Sequence, residues 1–151
     1  MNNKPNKIYI AADHAGVALK EELKPYLESL GFEIKDCGNS VLDENDDYPD
    51  FIFPVAQAVA KNSGSYGIVI GGSGQGEAMV ANKVKGVRAA VLYDEYSAKM
   101  SRLDNDANVA SLGARTMDTQ KAKDLIRLWL QTPFSQAERH IRRIDKIARL
   151  M

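Results

Sequence analysis

The chain has little cysteine and no excess of either charge. Its 151 residues include one cysteine, Cys37, which can form neither an internal disulfide nor a cysteine-based metal cluster. Twenty basic and twenty acidic side chains cancel, so no overall field attracts nucleic acid or an anionic membrane surface. We therefore expect neither as a partner.

Long apolar runs are also missing. No stretch approaches the length that spans a membrane, and the first residues, Met1–Pro5, lack the apolar segment of a signal peptide. We therefore expect a soluble, cytoplasmic protein. A length of 151 residues suits one domain with a real core, so the interpretation is a single domain over residues 1–151.

Short apolar segments alternate with amphipathic ones along the chain. This alternation predicts a five-stranded parallel sheet with helices on both faces. The predicted strands are Lys7–Asp13, Phe32–Cys37, Tyr66–Gly71, Val87–Tyr93 and Ala107–Leu112. The predicted helices are Ala15–Leu30, Phe51–Asn62, Glu77–Lys83, Glu95–Leu103 and Asp118–Thr132. A last helix is predicted to start at Ser135, with Glu138 completing a capping box, and to run to about residue 150.

The most informative segment is the glycine-rich stretch 71–77, Gly-Gly-Ser-Gly-Gln-Gly-Glu. It follows an apolar strand and opens into a helix, so the amides of Gly72, Gly74 and Gly76 are expected to gather into an anion cradle. Glu77 adds a carboxylate to that cradle. A base beside an oxyanion site indicates proton abstraction next to a carbonyl. The alternative for Glu77 is a simple dipole-complementing residue in a first helical turn.

Better-known loops do not match. A dinucleotide fingerprint beginning at Gly72 needs glycine where Glu77 stands, and no Gly-Lys-Ser/Thr follows for a mononucleotide loop. A calcium loop over Asp104–Asn108 fails because Val109 replaces its required glycine. We therefore reject a calcium site in this segment.

Other polar residues fall where the predicted strands and crossovers end. Asp13 and His14 follow the first strand, Tyr48 lies in the second crossover, and Arg115 follows the fifth strand. In parallel sheets the ligand lies at the carboxyl edge, so we expect these side chains to surround the glycine loop. The acidic run 43–47 is interpreted as a solvated loop.

Five ordered motifs make the chain similar to one known family. They are Ala12–Gly16, Asp47–Asp50, Gly71–Glu77 with Ala81–Lys83, Asn105–Asn108 and Arg139–Asp145. Together they resemble the type B ribose-5-phosphate isomerase family, which includes the galactose-6-phosphate isomerase subunits. The resemblance implies an α/β, three-layer Rossmann-like fold and an aldose–ketose isomerase that interconverts ribose 5-phosphate and ribulose 5-phosphate through an enediolate. It also implies no metal or organic cofactor, and a homodimer, which could pair into a tetramer, with its sites between subunits.

The resemblance also assigns roles to residues. Many members use a cysteine base at the position of Gly71, so this chain resembles the subgroup with Glu77 as base. Ser73 matches a hydroxyl residue that can shuttle or donate a proton to the substrate oxygens. The side-chain amide of Asn105 could contribute to the oxyanion site. Phosphate would bind the partner's Arg139 and Arg143, which stand four residues apart on the last helix. Arg115 matches another arginine of the family's substrate pocket, and His14 is placed for contact with the phosphate or the sugar ring. The last helix would pack on the partner subunit, while Asp13 could hold sugar hydroxyls. For Arg139 and Arg143, a solvated basic face is the alternative.

One position departs from the family pattern. Asp104 stands where most members have a histidine that opens the sugar ring, and aspartate is a poor proton donor near neutral pH. Asp104 could perform this step differently, or Asp13 or His14 could perform it. Two further alternatives are a hexose 6-phosphate or other open-chain aldose phosphate as substrate, and a non-catalytic sugar-phosphate-binding protein.

Overall fold

A computed structural model describes residues 6–150. Its five strands all run parallel in the spatial order β2-β1-β3-β5-β4. They are β1 Lys7–Ala12, β2 Glu33–Asp36, β3 Tyr66–Gly71, β4 Ala89–Val91 and β5 Val109–Gly113. Six helices connect and follow them: α1 Val17–Ser29, α2 Pro49–Lys61, α3 Gln75–Ala81, α4 Glu95–Leu103, α5 Thr119–Gln131 and α6 Glu138–Ala148.

Alternating side chains of the central strands separate two apolar clusters. Ile8 and Ile10 point to one face, where they pack with residues of α1, α4 and α5. Tyr9 and Ala11 point to the other face, toward α2 and α3. Because both faces are covered, the central strands are apolar throughout, as parallel sheets require. The predicted three-layer α/β fold is confirmed.

The strand order reverses beside β1. From β1 the chain first moves outward to β2, and it then returns to add β3 on the other side of β1. The loops after β1 and β3 therefore diverge at the carboxyl edge and leave a crevice there, which is where open α/β sheets bind ligands. Among the described residues, no helix combines the length and apolarity that crossing a membrane requires.

The prediction for the last helix was wrong at its start. Helix α6 begins at Glu138, three residues after the predicted Ser135. The Ser135 hydroxyl accepts the N–H of Ala137 at 3.3 Å, and Gln136 takes a left-handed φ of 59°, which a continuous helix cannot contain. Helix α3 begins earlier than predicted, at Gln75, so Glu77 lies within its first turn. The boundaries of β3 and α4 are as predicted, and the other boundaries move by at most two residues.

Candidate active site

Glu77 and Gly71 share one small space at the end of β3. A Cβ atom built on Gly71 would overlap the Glu77 carboxylate, whose two oxygens lie over the Gly71 backbone. The carboxylate thus occupies the position that a side chain at residue 71 would otherwise fill. The two residues are therefore sterically exclusive: a cysteine at 71 and the observed Glu77 conformation cannot coexist. The lack of a side chain at residue 71 therefore leaves the space that the Glu77 carboxylate occupies.

The environment of Glu77 favours its neutral form. The residue is 4% exposed. Burial raises the pKa of Glu77 above its ordinary value, the nearby Asp13 carboxylate raises it further, and the residue's own backbone N–H opposes the rise. A carboxylate whose pKa moves toward neutrality is a stronger base than an exposed one. The burial and raised pKa of Glu77 therefore favour a role in proton abstraction over a role that only complements the helix dipole.

The glycine loop is held tightly against β5. Gly74 has a left-handed φ of 80°, and its carbonyl accepts the Ser111 hydroxyl at 2.6 Å. A Cβ on Gly74 would also press against the backbone of Leu112, so only glycine fits this turn without strain. Ser73 is exposed, and its hydroxyl accepts the Gln75 N–H at 3.3 Å. The loop amides therefore lie in a fixed arrangement beside Glu77.

Asp13 closes the other side of the crevice, directly after β1. Its Oδ1 accepts the N–H groups of Ala15 at 2.9 Å and Gly16 at 3.2 Å. The turn is tight because a Cβ on Gly16 would collide with the Ile70 carbonyl of β3. This buried carboxylate has a structural role at the start of α1, and its Oδ2 takes no hydrogen bond from the described residues.

Tyr48 and Arg115 extend over the glycine loop from two other crossovers. The Tyr48 phenol lies above Gly76, 2.7 Å from where a Cβ on that glycine would be. The Arg115 guanidinium lies similarly above Gly72, and the Arg115 N–H donates to the Gly72 carbonyl at 3.0 Å. A Cβ on Gly76 would displace the Tyr48 phenol, whereas a small shift of the flexible Arg115 side chain would accommodate a Cβ on Gly72. These contacts bring a phenol and a cation to the same crevice.

His14 lies at the rim of this crevice and pairs with Asp46. Its Nδ1 is 2.7 Å from Asp46 Oδ1, and its backbone N–H donates to Asp46 Oδ2 at 2.8 Å. The hydrogen bond to Asp46 raises the pKa of His14, while partial burial and Arg115 act in the opposite direction. The sequence pattern predicted that the whole acidic run 43–47 is solvated, and this prediction was wrong for Asp46. The Asp46 side chain is only 4% exposed.

Metal binding is one chemistry to consider here. Potential ligand atoms of Asp13, His14 and Asp46 lie within 4.8 Å of one another. Asp13 Oδ1 already accepts two amide hydrogens, and His14 Nδ1 is engaged with Asp46. We interpret this cluster as a hydrogen-bonded network.

The remaining predicted site residues lie elsewhere in the chain. Helix α4 runs back from the carboxyl edge, so Asp104 and Asn105 lie at the edge where the strands begin. Arg139 and Arg143 are exposed on α6, which docks at that same edge. Within one chain, these four residues do not meet Glu77. The structure thus divides the predicted site residues into two groups at opposite edges of the sheet.

Asp104 has a neighbour that the sequence pattern did not indicate. His140 Nε2 lies 3.2 Å from Asp104 Oδ1, and the His140 side chain is 9% exposed. The following loop is held firmly, because Arg102 Nη1 donates to Asp106 Oδ1 at 2.8 Å and Arg88 Nη2 donates to the Asp106 carbonyl at 2.8 Å. Asn105 is therefore displayed at the surface by a fixed loop. His140 and Asp46 both lie far along the chain from their partners, and no local pattern would have identified them.

These features define a class: a parallel α/β protein with a buried, base-like carboxylate facing a glycine loop at its switch point. The family model for Ribose/Galactose Isomerase matches residues 8–147. The chain therefore belongs to the ribose/galactose isomerase family. The resemblance inferred from the five motifs is confirmed, as is its assignment as an isomerase.

Individual relatives are similar to this chain in sequence and structure over nearly its whole length. Ribose-5-phosphate isomerase B of Mycobacterium tuberculosis is 40% identical over 142 residues, which cover 94% of this chain and 88% of that protein. The crystal structure of ribose-5-phosphate isomerase B from Mycoplasma genitalium with bound ribulose-5-phosphate has a TM-score of 0.92 at 43% identity, covering 95% of each chain. The Clostridium thermocellum ribose-5-phosphate isomerase B structure has a TM-score of 0.91 at 43% identity, covering 95% of this chain and 96% of that one.

Proposed function

We propose that this chain interconverts ribose 5-phosphate and ribulose 5-phosphate, with Glu77 as the base. The main support is the Glu77 carboxylate itself, which is buried over Gly71 and has a raised pKa. Ribulose-5-phosphate bound in the Mycoplasma genitalium relative supports the choice of substrate. Glu77 removes the proton from C2 of the open-chain aldose, and an enediolate forms. The proton returns to C1 while the hydroxyl proton of O2 moves to O1, which leaves the ketose carbonyl at C2.

The enediolate needs donors for its developing negative charge. The amides of Gly72, Gly74 and Gly76 are the proposed oxyanion donors, and each is worth about 3–4 kcal/mol of the barrier if it is well aimed. Their support is the rigidity of the loop, which Ser111 and Arg115 hold from β5 and the loop after it. Ser73 offers an exposed hydroxyl to the substrate oxygens. A base and these donors suffice for the proton transfer, so we propose that no metal or organic cofactor takes part.

The phosphate end of the substrate is proposed to lie near His14 and Arg115. Both carry or can carry positive charge at the rim of the crevice, and Asp13 Oδ2 remains for a sugar hydroxyl. Guanidinium groups bind phosphate oxygens in pairs. Arg139 and Arg143 would supply such a pair, but they lie at the opposite edge of their own chain. Their contribution requires a second subunit.

We therefore propose a homodimer in which α6 and the Asp104–Asn105 loop complete the partner's site. Of the eleven residues of α6, only His140 is buried. Ile141 is 38% exposed and Ile147 is 47% exposed, so the helix presents apolar side chains that its own chain leaves uncovered. A two-fold interface would place each α6 against the other subunit. The chain is proposed to be one domain, with this helix packing on the partner.

Asp104 is the proposed ring-opening group in this dimer. As a carboxylate it can accept the proton of the anomeric hydroxyl, and His140 Nε2 lies 3.2 Å from its Oδ1. This residue also favours a second candidate. Because aspartate is a poor proton donor near neutral pH, that candidate is an isomerase of another aldose phosphate, such as a hexose 6-phosphate or one supplied in open-chain form.

Steady-state kinetics of matched variants test the proposal. Glu77→Gln should lower kcat/KM for ribose 5-phosphate by about 10²–10⁴-fold, because it removes the base while keeping the side-chain shape. Glu95→Gln is the control, since Glu95 is an exposed glutamate in the first turn of α4. Equal activity of the two variants would refute Glu77 as base. Turnover of hexose 6-phosphate alone would select the second candidate, and no turnover of any aldose phosphate would indicate a binding protein.

A further inference from the structure

One residue of the acidic run behaves unlike its neighbours. Asp43, Glu44 and Asp47 are exposed, as expected for a solvated loop. The Asp46 side chain is 4% exposed and lies against the rim of the crevice. Burial of a carboxylate is costly unless its oxygens are hydrogen bonded. The position of Asp46 therefore needs a compensating set of contacts.

His14 supplies most of these contacts. Each Asp46 oxygen receives one hydrogen bond from His14: Oδ2 from the backbone N–H at 2.8 Å, and Oδ1 from ring Nδ1 at 2.7 Å. Two bonds to one residue fix both the backbone and the ring plane of that residue. Because Nδ1–H donates to the carboxylate, Nε2 is left on the far side of the ring, where it is a donor in the imidazolium form.

The loop that carries Asp46 is anchored from within the fold. Asn39 Nδ2 donates to Asp46 Oδ2 at 3.3 Å, and the Asn39 carbonyl accepts Lys20 Nζ at 2.6 Å. Lys20 is completely buried and also donates to Asp36 at 3.0 Å. A chain of hydrogen bonds thus runs from α1 through the 39–46 loop to His14. Such a support holds a side chain in place better than a free loop would.

We propose that Asp46 is a positioning residue: its carboxylate holds the His14 ring with Nδ1 turned inward and Nε2 presented to the phosphate of the substrate. The proposal rests on the proposed function for the identity of that phosphate. The charged groups that face His14 are Asp46, Asp13 and Arg115. The two carboxylates favour the imidazolium form, Arg115 opposes it, and the Asp46 hydrogen bond is the largest of these influences.

Asp46→Asn is the direct test, with Asp47→Asn as its exposed neighbouring control. Asp46→Asn should raise KM for ribose 5-phosphate by about tenfold and leave kcat within about twofold, because binding and not proton transfer is affected. The rise in KM should be greatest at pH values between the His14 pKa of the Asp46→Asn variant and that of the wild type. In this range the wild-type ring is charged and the variant ring is neutral. In a His14→Gln background, Asp46→Asn should have no further effect on KM.

Proton NMR separates this proposal from the proposed function and from a folding defect. The chain has two histidines, so a His14→Gln spectrum assigns both ring signals. The His14 pKa should fall in Asp46→Asn, and the response of its ring to inorganic phosphate should weaken, whether or not the enzyme turns over ribose 5-phosphate. An unchanged His14 pKa with unchanged phosphate response would overturn the proposal. If the Asp46→Asn variant does not fold, a wild-type His14 pKa below the ordinary value of 6.5 would also overturn the proposal.

Discussion

Replacing Gly71 by alanine tests the shared space at the end of β3. A methyl group at residue 71 would occupy the position of the Glu77 carboxylate, so one of the two must move. Overpacking of this kind costs about 1–3 kcal/mol. For a chain of this size, each kcal/mol lowers Tm by roughly 2–4 °C. The displaced carboxylate would also lose its aim at the substrate, so kcat/KM should fall by about 10²-fold or more.

The double-mutant cycle makes this reasoning specific. In a Glu77→Ala background the space is empty, so Gly71→Ala should cost little stability and little of the residual activity. Urea unfolding and steady-state kinetics of the four proteins give the coupling between the residues, expected at about 1–3 kcal/mol in stability. An equal cost of Gly71→Ala in both backgrounds would refute the steric account, since the effect would then be independent of the carboxylate.

Three further predictions concern the dimer, the pH dependence and Asp104. An Arg139→Ala/Arg143→Ala subunit mixed with a Glu77→Gln subunit should recover about a quarter of wild-type activity after full exchange, because half of the dimers then contain one intact site; no recovery after proven exchange would contradict sites shared between subunits. Burial raises the folded-state pKa of Glu77 above its ordinary value of 4.5. The contribution of Glu77 to the free energy of unfolding is therefore most favourable below about pH 4.5, and this contribution is lost as the pH rises through the folded-state pKa. Glu77→Gln should therefore raise Tm at pH 7, with the gain vanishing below about pH 4.5, and a lower Tm at pH 7 would oppose this account of its burial. Asp104→His should speed the use of cyclic ribose 5-phosphate, with Glu95→His as the surface control; an unchanged or slower rate would count against a ring-opening role at this position.

The sequence predicted the layered sheet and the placement of one group of candidate site residues. The apolar strands are buried on both faces, so their composition marked them clearly, and β3 and α4 have the predicted boundaries. Asp13, His14, Tyr48 and Arg115 surround the glycine loop because they follow strands or precede a helix at one edge. Strand ends are local features, so a pattern along the chain can locate them.

The remaining features depend on contacts between distant segments. Asp46 and His14 are separated by 32 residues, and the acidic composition around Asp46 favoured solvation. The pairing of Asp104 with His140 depends on how α6 returns to the end of α4. The start of α6 was misassigned because Ser135 and Glu138 match a capping box in sequence, whereas the backbone at Gln136 excludes a helix there. Local propensity yields to tertiary packing in each case.

The most direct test of the central claim is proton NMR of the wild-type protein with ribose 5-phosphate in heavy water, with Glu77→Gln and Glu95→Gln in parallel. Removal of a carbon-bound proton by Glu77 predicts ribulose 5-phosphate with solvent deuterium on carbon for the wild type and Glu95→Gln, and almost none for Glu77→Gln. Undiminished deuterium incorporation by a folded Glu77→Gln variant would contradict the account, since another group would then be the base.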